Sequence, residues 1–183
     1  MNTRRVINIR YAQIRSMDLS NGEGIGIALF VQGCHFHCPN CFNPETWDFD
    51  GGKEWTEEVK NKFLELANRP YIKRISILGG EPLAEENLGD VLGLVNKIRL
   101  SSPKKSIWIY SGYTWEEILD EDYNFLEMHD NLRQAIIAQC NVFVDGKYKE
   151  SQRDITLPYR GSKNQRLIDI QQTLKGKIVL WQT

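Results

Sequence analysis

The chain has 183 residues, of which 41% are hydrophobic and 26% charged, which is ordinary for a globular protein of one domain. Its 23 Lys and Arg residues balance its 24 Asp and Glu residues, so bulk charge gives no reason to expect binding to nucleic acid or to an anionic membrane. We find no apolar run that could span a bilayer and no secretory signal. We therefore expect one cytoplasmic domain over residues 1–183, with its cysteines reduced.

The N-terminal part of the chain predicts a buried strand that runs into a cysteine-rich segment. Residues 3–20 alternate loosely between polar and apolar side chains, which fits an edge strand or an arm. The turn sequence Asn-Gly-Glu-Gly occupies positions 21–24. The nearly unbroken apolar run 25–31 then predicts a strand buried on both faces, as in a parallel sheet. The segment 33–44 follows it directly and holds three of the four cysteines.

The middle of the chain predicts alternating helices and strands. Thr56, which is followed by two glutamates, is a favourable helix cap, and this helix should end near Asn68. Residues 72–78 predict a second strand, and Pro82 fits the first turn of the helix after it. That helix has an apolar stripe at helical spacing, made of Leu88, Val91, Leu92, Val95 and Ile98.

The last part of the chain continues the alternation less regularly. Residues 106–110 predict a third strand, and Thr114 with Glu117 has the form of a capping box that opens a third helix. Residues 130–139 are ambiguous and fit a short helix. The remaining predictions are a strand over 141–144, a polar loop over 146–165, and two short strands over 166–170 and 178–181.

This order of elements predicts an α/β fold with a largely parallel, curved sheet. The units are too few to close an eight-unit barrel, so we expect a partial (β/α) barrel. In such folds ligands bind beyond the carboxyl ends of the strands, and every suggestive motif of this chain follows a predicted strand. These motifs are the cysteines, Gly-Gly-Glu-Pro at 79–82, Ser111-Gly112, and Asp145 with Lys147.

The three cysteines, Cys34, Cys38 and Cys41, leave more than one chemistry open. With His35 or His37 they could complete a zinc site, although structural zinc modules bring two ligand pairs from separated segments. The two histidines fit surface positions better. A thioredoxin-like Cys-Pro-Asn-Cys is also present, but Pro44 follows where that motif expects a helix. The fourth cysteine, at position 140, precedes an apolar strand and is interpreted as a core residue.

A four-iron cluster offers a third explanation for the spacing of these cysteines. Such a cluster normally takes four cysteine thiolates, so three thiolates would leave one iron without a protein ligand. By the logic that separates open catalytic metal sites from closed structural ones, that iron would be free to bind a chelating substrate.

Cys34-x3-Cys38-x2-Cys41, taken together with Gly79-Gly80-Glu81-Pro82, resembles the radical S-adenosylmethionine (SAM) enzymes. The resemblance implies a [4Fe-4S] cluster whose open iron chelates SAM and whose electron cleaves it to a deoxyadenosyl radical. The residue before the third cysteine is often aromatic in that superfamily. Here it is Asn40, which the resemblance places beside the cofactor.

Further segments are similar to the activating proteins of anaerobic (class III) ribonucleoside-triphosphate reductase. The resemblance implies a protein substrate, the large subunit of that reductase, on which a glycyl radical is formed, and an electron donor such as flavodoxin. The matching segments lie at 41–47, 110–114, 144–146 and 159–166, and the segment 21–25 looks like the one that opens the glycyl-radical activating enzymes more generally.

The same resemblance implies the contacts with SAM. Gly79 and Gly80 would expose carbonyl groups to the ammonium of SAM, and Glu81 would add an acceptor. Ser111 would bond the ribose or the amine, and an ordinary turn serine is the alternative. If the fourth strand continues, Asp145 and Lys147 point to one face. There Asp145 would bind the ribose or the ammonium of SAM, and Lys147 would bind its carboxylate. The alternative is that both are solvated loop residues. Arg160, Asn164 and Arg166 receive no role from the sequence.

Two alternatives to this function remain. One is another small radical SAM enzyme, of the pyruvate formate-lyase activase or deazaguanine synthase type, against which the segment Tyr-Arg-Gly-Ser-x-Asn-Gln-Arg at 159–166 argues. The other is a zinc-binding module without catalysis.

Overall fold

A computed structural model describes residues 9–119 and 128–182 of the chain. Within these ranges the fold is mixed α/β, as predicted. The strands are β1 (Arg10–Asp18), β2 (Gly26–Val31), β3 (Lys53–Glu54), β4 (Arg74–Gly79), β5 (Ser106–Tyr110), β6 (Val142–Asp145) and β7 (Arg166–Asp169). The helices are α1 (Glu57–Ala67), α2 (Leu88–Ser101), α3 (Trp115–Leu119), α4 (Met128–Ile137) and α5 (Ile170–Thr173).

The strands form one open sheet in the order β3-β1-β2-β4-β5-β6-β7. The four central strands β2, β4, β5 and β6 run parallel, and the strands toward either edge pair antiparallel. The parallel centre confirms the sheet type predicted from the buried apolar runs. The N-terminal strand is not the edge, because the two-residue strand β3 lies outside it.

The two faces of the sheet are covered differently. One face packs against the helices in the main core, to which alternate residues of the central strands contribute, such as Ile27, Ile75 and Ile107. The other face has small separate clusters around Phe30 and Trp108. All five helices named above pack on the first face, so among the described residues the second face is free of these helices, and the candidate site lies over it.

The predicted caps of the first and third helices are confirmed. The Oγ1 atom of Thr56 accepts a hydrogen bond from the backbone N–H of Val59, at the start of α1. Before α3, the backbone N–H of Thr114 donates to the carboxylate of Glu117 at 2.7 Å, while the N–H of Glu117 donates to the Thr114 hydroxyl. Local sequence therefore sets where both helices begin.

The prediction that Pro82 opens the second helix is wrong, because α2 begins only at Leu88. The intervening residues are held as a turn by side chains of the candidate site. The carboxylate of Glu81 accepts the backbone N–H of Leu83 at 2.8 Å, and the Asn87 amide donates to the carbonyl groups of Gln32 and Glu81. These bonds compete successfully with the first turn of a helix.

The predicted strand at 178–181 is also wrong. It forms an isolated bridge between Ile168 and Leu180, with backbone hydrogen bonds from Asp169 to Val179 and from Trp181 to Leu167. The pairing stops there because β7 ends at Asp169, whose side chain caps the short helix α5 by accepting the N–H of Gln172. Within the described ranges, no helix combines the length and the apolar character needed to cross a membrane.

Candidate functional site

A cavity of about 550 Å³ lies over the helix-free face of the sheet. Its walls come from the segments that follow four parallel strands. Cys34, Cys38 and Cys41 follow β2, residues 79–81 end and follow β4, Ser111 follows β5, and Lys147 follows β6. The structure therefore brings most of the sequence-predicted residues to one place.

The cysteine loop is anchored to the chain that follows it. The backbone N–H of Gly33 donates to the carbonyl of Thr46 at 2.9 Å, and the N–H of Cys34 donates to that of Trp47 at 3.0 Å. Between these anchors the loop turns tightly. Cys34 is buried, whereas Cys38 and Cys41 are half-buried, and all three thiols are free.

Asn40 lies outside the cavity lining, contrary to its predicted place beside a cofactor. Its side chain is exposed, and its φ of 55° lies in the left-handed region that asparagine tolerates better than most residues. The residue therefore serves the turn between Cys38 and Cys41. His35 and His37 are exposed too, and His35 bonds Glu86 at 2.9 Å, in agreement with the expected surface role of both histidines.

Burial makes the free thiolates costly. It raises the pKa of Cys34 to about 11 and also raises the pKa of Cys38, with the neighbouring Cys41 as a second cause for Cys38. A thiolate in this place needs compensating positive charge, which a bound metal centre supplies. Three thiolates from one short loop are a donor set that fits a multi-iron cluster, in which different irons take the different thiolates.

The two glycines at the end of β4 lie against neighbouring backbone, Gly79 against Phe30 of β2 and Gly80 against the cysteine loop. Gly79 has a φ of +107°, and a Cβ on Gly80 would lie 2.5 Å from the carbonyl oxygen of Gly33. The backbone N–H of Glu81 donates to that same oxygen at 2.7 Å. The Gly-Gly-Glu sequence and the cysteine loop are therefore one packed unit, and glycine is required because no side chain fits between them.

Glu81 joins the ends of β4 and β5 below the cavity. Its buried carboxylate accepts hydrogen bonds from the Ser111 hydroxyl and the Gly112 N–H, both at 2.7 Å. Burial raises its pKa from the ordinary 4.5 to about 7, although these donors oppose the rise. Glu81 and Ser111 thus use part of their hydrogen-bonding capacity on each other, and this bond fixes the shape of the cavity wall between β4 and β5.

Only Lys147 lines the cavity beside the cysteines, although Asp145 and Lys147 together line a smaller neighbouring pocket with Arg166. Strand β6 ends at Asp145, and the following Gly146 has a φ of +93°, which breaks the alternation of side chains. Lys147 lines the cavity, with its Nζ 4.5 Å from the ring centroid of Phe36. Asp145 is absent from the lining, because its carboxylate accepts the N–H of Trp115 at 3.0 Å and is bound by the Arg166 guanidinium.

Three polar atoms of the cavity wall were missed by sequence reasoning. They are the Trp47 Nε1, the Tyr110 hydroxyl and the Arg160 Nε, all buried and without a hydrogen-bond partner. Burial also raises the pKa of Tyr110. Such orphaned polar atoms beside a cavity indicate groups that a bound molecule would satisfy. The three lie in segments singled out in the sequence, but nothing in the pattern marked their side chains as cavity-facing.

Asn164 and Arg166, to which the sequence gave no role, support the end of β6. The Asn164 amide donates to the carbonyl of Lys147 at 2.8 Å. Arg166 pairs with Asp145 and with Glu116, so it connects β7 to the start of α3. Both residues hold the Lys147 wall without lining the cavity themselves.

Comparison with known proteins gives a consistent result. A family model described as a 4Fe-4S single cluster domain matches residues 20–168. The chain is 37% identical over 159 residues to a protein of Salmonella typhi and 36% identical to one of Escherichia coli K12, covering 86% of this chain and 96% of each relative. A protein of Enterobacteria phage T4 is 32% identical, over 87% of this chain and 93% of its own. All three relatives are named anaerobic ribonucleoside-triphosphate reductase-activating protein.

Proposed function

This chain belongs to the family of anaerobic ribonucleoside-triphosphate reductase-activating proteins, and on that premise we propose that it is a radical SAM activase. Its substrate is a glycine of the partner reductase, on which it generates a glycyl radical. The observation that carries this proposal is the packing of three cysteines and the Gly-Gly-Glu sequence as one wall of a single cavity.

Cys34, Cys38 and Cys41 would hold a [4Fe-4S] cluster as its three protein ligands. A cluster held by these thiolates would supply the one-electron reduction that cleaves SAM, and the product of that cleavage would take one hydrogen atom from the glycine. The buried position of Cys34 would shield its thiolate, and a cluster bound to it, from water. Lys147 brings positive charge toward Cys38, where it favours the thiolate form.

The remaining wall would hold SAM. Gly79 and Gly80 leave backbone carbonyls uncovered by side chains, which suits the ammonium group, and Lys147 suits the carboxylate. Glu81 and Ser111 keep one another in place and have lone pairs left for the ammonium or ribose. Asn40 and Asp145 are left out of this set, because neither lines the cavity.

Because the sheet is open, the cavity alone would not protect the radical from water. A deoxyadenosyl radical must be shielded from water, and the cavity opens to solvent on one side. We infer that the partner reductase closes it when the glycine-bearing segment enters. We further propose that the sheet is the partial (β/α) barrel of radical SAM enzymes, that residues 1–183 are one activase domain, and that a flavodoxin-type protein donates the electron.

An anaerobic experiment tests the proposal. The protein is reconstituted with iron and sulfide, reduced, and mixed with SAM with and without the reductase. We expect about four irons and four sulfides per chain, deoxyadenosine formation, and a glycyl radical doublet in the electron paramagnetic resonance spectrum when the reductase is present. One zinc without sulfide would overturn the proposal, and deoxyadenosine without any radical on the reductase would reject the partner.

A further inference from the structure

Residues 153–162 form a short hairpin beside the cavity, which we call the lip hairpin. Arg153 and Ser162 are joined by an antiparallel bridge at its base. Just above this bridge, the backbone N–H of Asp154 donates to the carbonyl of Gly161 at 3.1 Å. The Gln165 side chain accepts the N–H groups of Gly161 and Ser162, at 3.0 and 3.1 Å. The base is therefore closed by backbone and side-chain bonds together.

The base of the lip hairpin is also fixed to the wall that carries Lys147. Gln165 donates through its Nε2 to the carbonyl of Gly146 at 3.0 Å. The Ser162 hydroxyl is buried and accepts the N–H of Lys149 at 3.2 Å. Through these bonds the hairpin has a defined position relative to the cavity.

The inner side of the lip hairpin reaches the cavity and the cysteine loop. Tyr159 has a φ of 57°, which a bulky residue rarely adopts, and its ring packs edge-on against Trp108 with centroids 5.3 Å apart. The next residue, Arg160, has a buried Nε without a hydrogen-bond partner. A Cβ on Gly161 would lie 2.4 Å from the ring of Phe42, so the hairpin backbone lies against the residue that follows the third cysteine.

The outer side carries an exposed apolar residue at the mouth of the cavity. Ile155 lines the cavity and is 78% exposed, and Phe42, on the cysteine loop, lines it and is 55% exposed. The turn that carries Ile155 is fixed by Asp154, whose carboxylate accepts the N–H of Thr156 at 3.0 Å and its hydroxyl at 2.6 Å. Large apolar side chains held in place at an entrance are typical of a binding surface.

We propose that Phe42 and Ile155 are the docking contact for the polypeptide segment that carries the partner's target glycine. This inference rests on the proposed function, since a polypeptide must enter the cavity for its glycine to reach the cysteines. The large side chains exposed at this entrance, Phe42 and Ile155, are apolar, which fits an apolar occupant. Arg153 pairs with Glu150 at 3.8 Å, and Asp154 pairs with Lys163 at 3.7 Å, so these four side chains largely neutralise one another, while Arg160 lines the cavity itself.

The inner side of the lip hairpin fits the same occupant. The unpartnered Nε of Arg160 is a donor of the kind that a peptide carbonyl satisfies. A glycine flanked by apolar side chains would place its neighbours against Phe42 and Ile155 while its own Cα, which has no side chain, passes deeper into the cavity. The apolar lip thus recognises the segment around the glycine and leaves the reacting carbon free.

The test uses Ile155→Asp in the reconstituted protein, with Leu100→Asp as the matched control. Leu100 is 85% exposed and lies on α2, which belongs to the opposite, helix-covered side of the sheet. Two quantities are measured: deoxyadenosine formed without reductase, and glycyl radical formed as the reductase concentration is varied. For Ile155→Asp we expect the half-saturating reductase concentration to rise about tenfold. Deoxyadenosine formation without reductase should stay at the wild-type level, and Leu100→Asp should match the wild type in both measurements.

Three results would overturn the docking contact. An unchanged half-saturating concentration in Ile155→Asp would show that the reductase does not touch the lip. Loss of deoxyadenosine in the absence of reductase would place Ile155 in the SAM site. A smaller sedimenting mass for Ile155→Asp than for the wild type, without a change in the reductase dependence, would assign the lip to a second copy of this chain. Failure of the wild-type protein itself to form deoxyadenosine would instead reject the proposed function on which the inference rests.

Discussion

The carbonyl oxygen of Gly33 lies 2.5 Å from the position that a Cβ on Gly80 would occupy. This approach joins two motifs that are more than forty residues apart in the chain. Because the obstacle is backbone on both sides, neither a rotamer change nor a small side-chain movement relieves it. The first prediction concerns this contact.

Gly80→Ala should displace the cysteine loop from β4. A misplacement of about 1 Å in a catalytic group costs on the order of 100-fold in rate, so we expect glycyl radical formation to fall by about that factor. Iron and sulfide content after reconstitution should fall as well. Gly93→Ala is the control, because a Cβ at that helical position meets nothing within 4 Å. If Gly80→Ala reconstitutes and reacts as well as Gly93→Ala, the contact is not needed.

The second prediction follows from the buried carboxyl group of Glu81. Its pKa is raised by burial from 4.5 to about 7 in the folded protein, so between these pH values the folded state binds more protons than the unfolded state. The free energy of unfolding of the cluster-free protein should therefore fall as the pH rises from about 4.5 to 7. Glu81→Gln should flatten this part of the profile, whatever its effect on absolute stability. Urea unfolding at several pH values measures it, and equal slopes for the two proteins would contradict the assignment.

Sequence reasoning located the cysteines and the strand ends well, because both rest on short-range signals. It failed where a residue's direction depends on tertiary contacts. The direction of the Asp145 side chain depends on the conformation of Gly146 and on the bond from Arg166, which lies 21 residues further along the chain. The late start of α2 depends in the same way on bonds from Asn87 to Gln32. Neither relationship has a signature in the local pattern, so both had to come from the structure.

The third prediction concerns a buried ion pair that explains the turn at 21–24. Arg74 and Asp18 are both almost completely buried, with Nη2 and Oδ2 2.8 Å apart. The guanidinium also donates to the carbonyl of Asn21 at 2.6 Å, and a Cβ on Gly22 would lie 2.5 Å from the Arg74 side chain. The glycine-containing turn thus wraps around an arginine at the start of β4.

Asp18→Ala should leave the Arg74 charge buried without its partner. Removal of one member of a buried pair costs about 3 to 5 kcal/mol of unfolding free energy, and we expect a loss in that range by denaturant titration. Glu65→Ala is the control, since its pair with Lys62 is exposed and should contribute less than about 1 kcal/mol. Similar losses in the two variants would show that burial does not increase the contribution of the Arg74–Asp18 pair to the unfolding free energy.

The fourth prediction distinguishes the role of Lys147 from that of Asp145. Lys147 lines the cavity, so Lys147→Met should weaken SAM binding by about tenfold, the loss of one charge-assisted contact. Asp145→Asn should mainly lower the melting temperature, because this carboxylate holds Arg166 and the start of α3. Equilibrium binding of SAM to the reconstituted proteins, together with thermal unfolding, distinguishes the two roles. A large loss of SAM affinity in a stably folded Asp145→Asn protein would show that Asp145 contacts SAM after all.

The last prediction uses the fourth cysteine as an internal reference. Cys140 is completely buried, its Sγ donates to the carbonyl of Ile136 at 3.3 Å, and burial raises its pKa to about 12, so it is a protonated core thiol. Cys140→Ala should cost about 1 kcal/mol of unfolding free energy and leave the iron content and the radical yield unchanged. Cys34→Ala, Cys38→Ala and Cys41→Ala should each remove the visible absorption of the cluster and all deoxyadenosine formation. A folded Cys140→Ala protein without a cluster would show that a thiol outside the loop takes part in iron binding, and the open iron on which the proposed chemistry depends would then be lost.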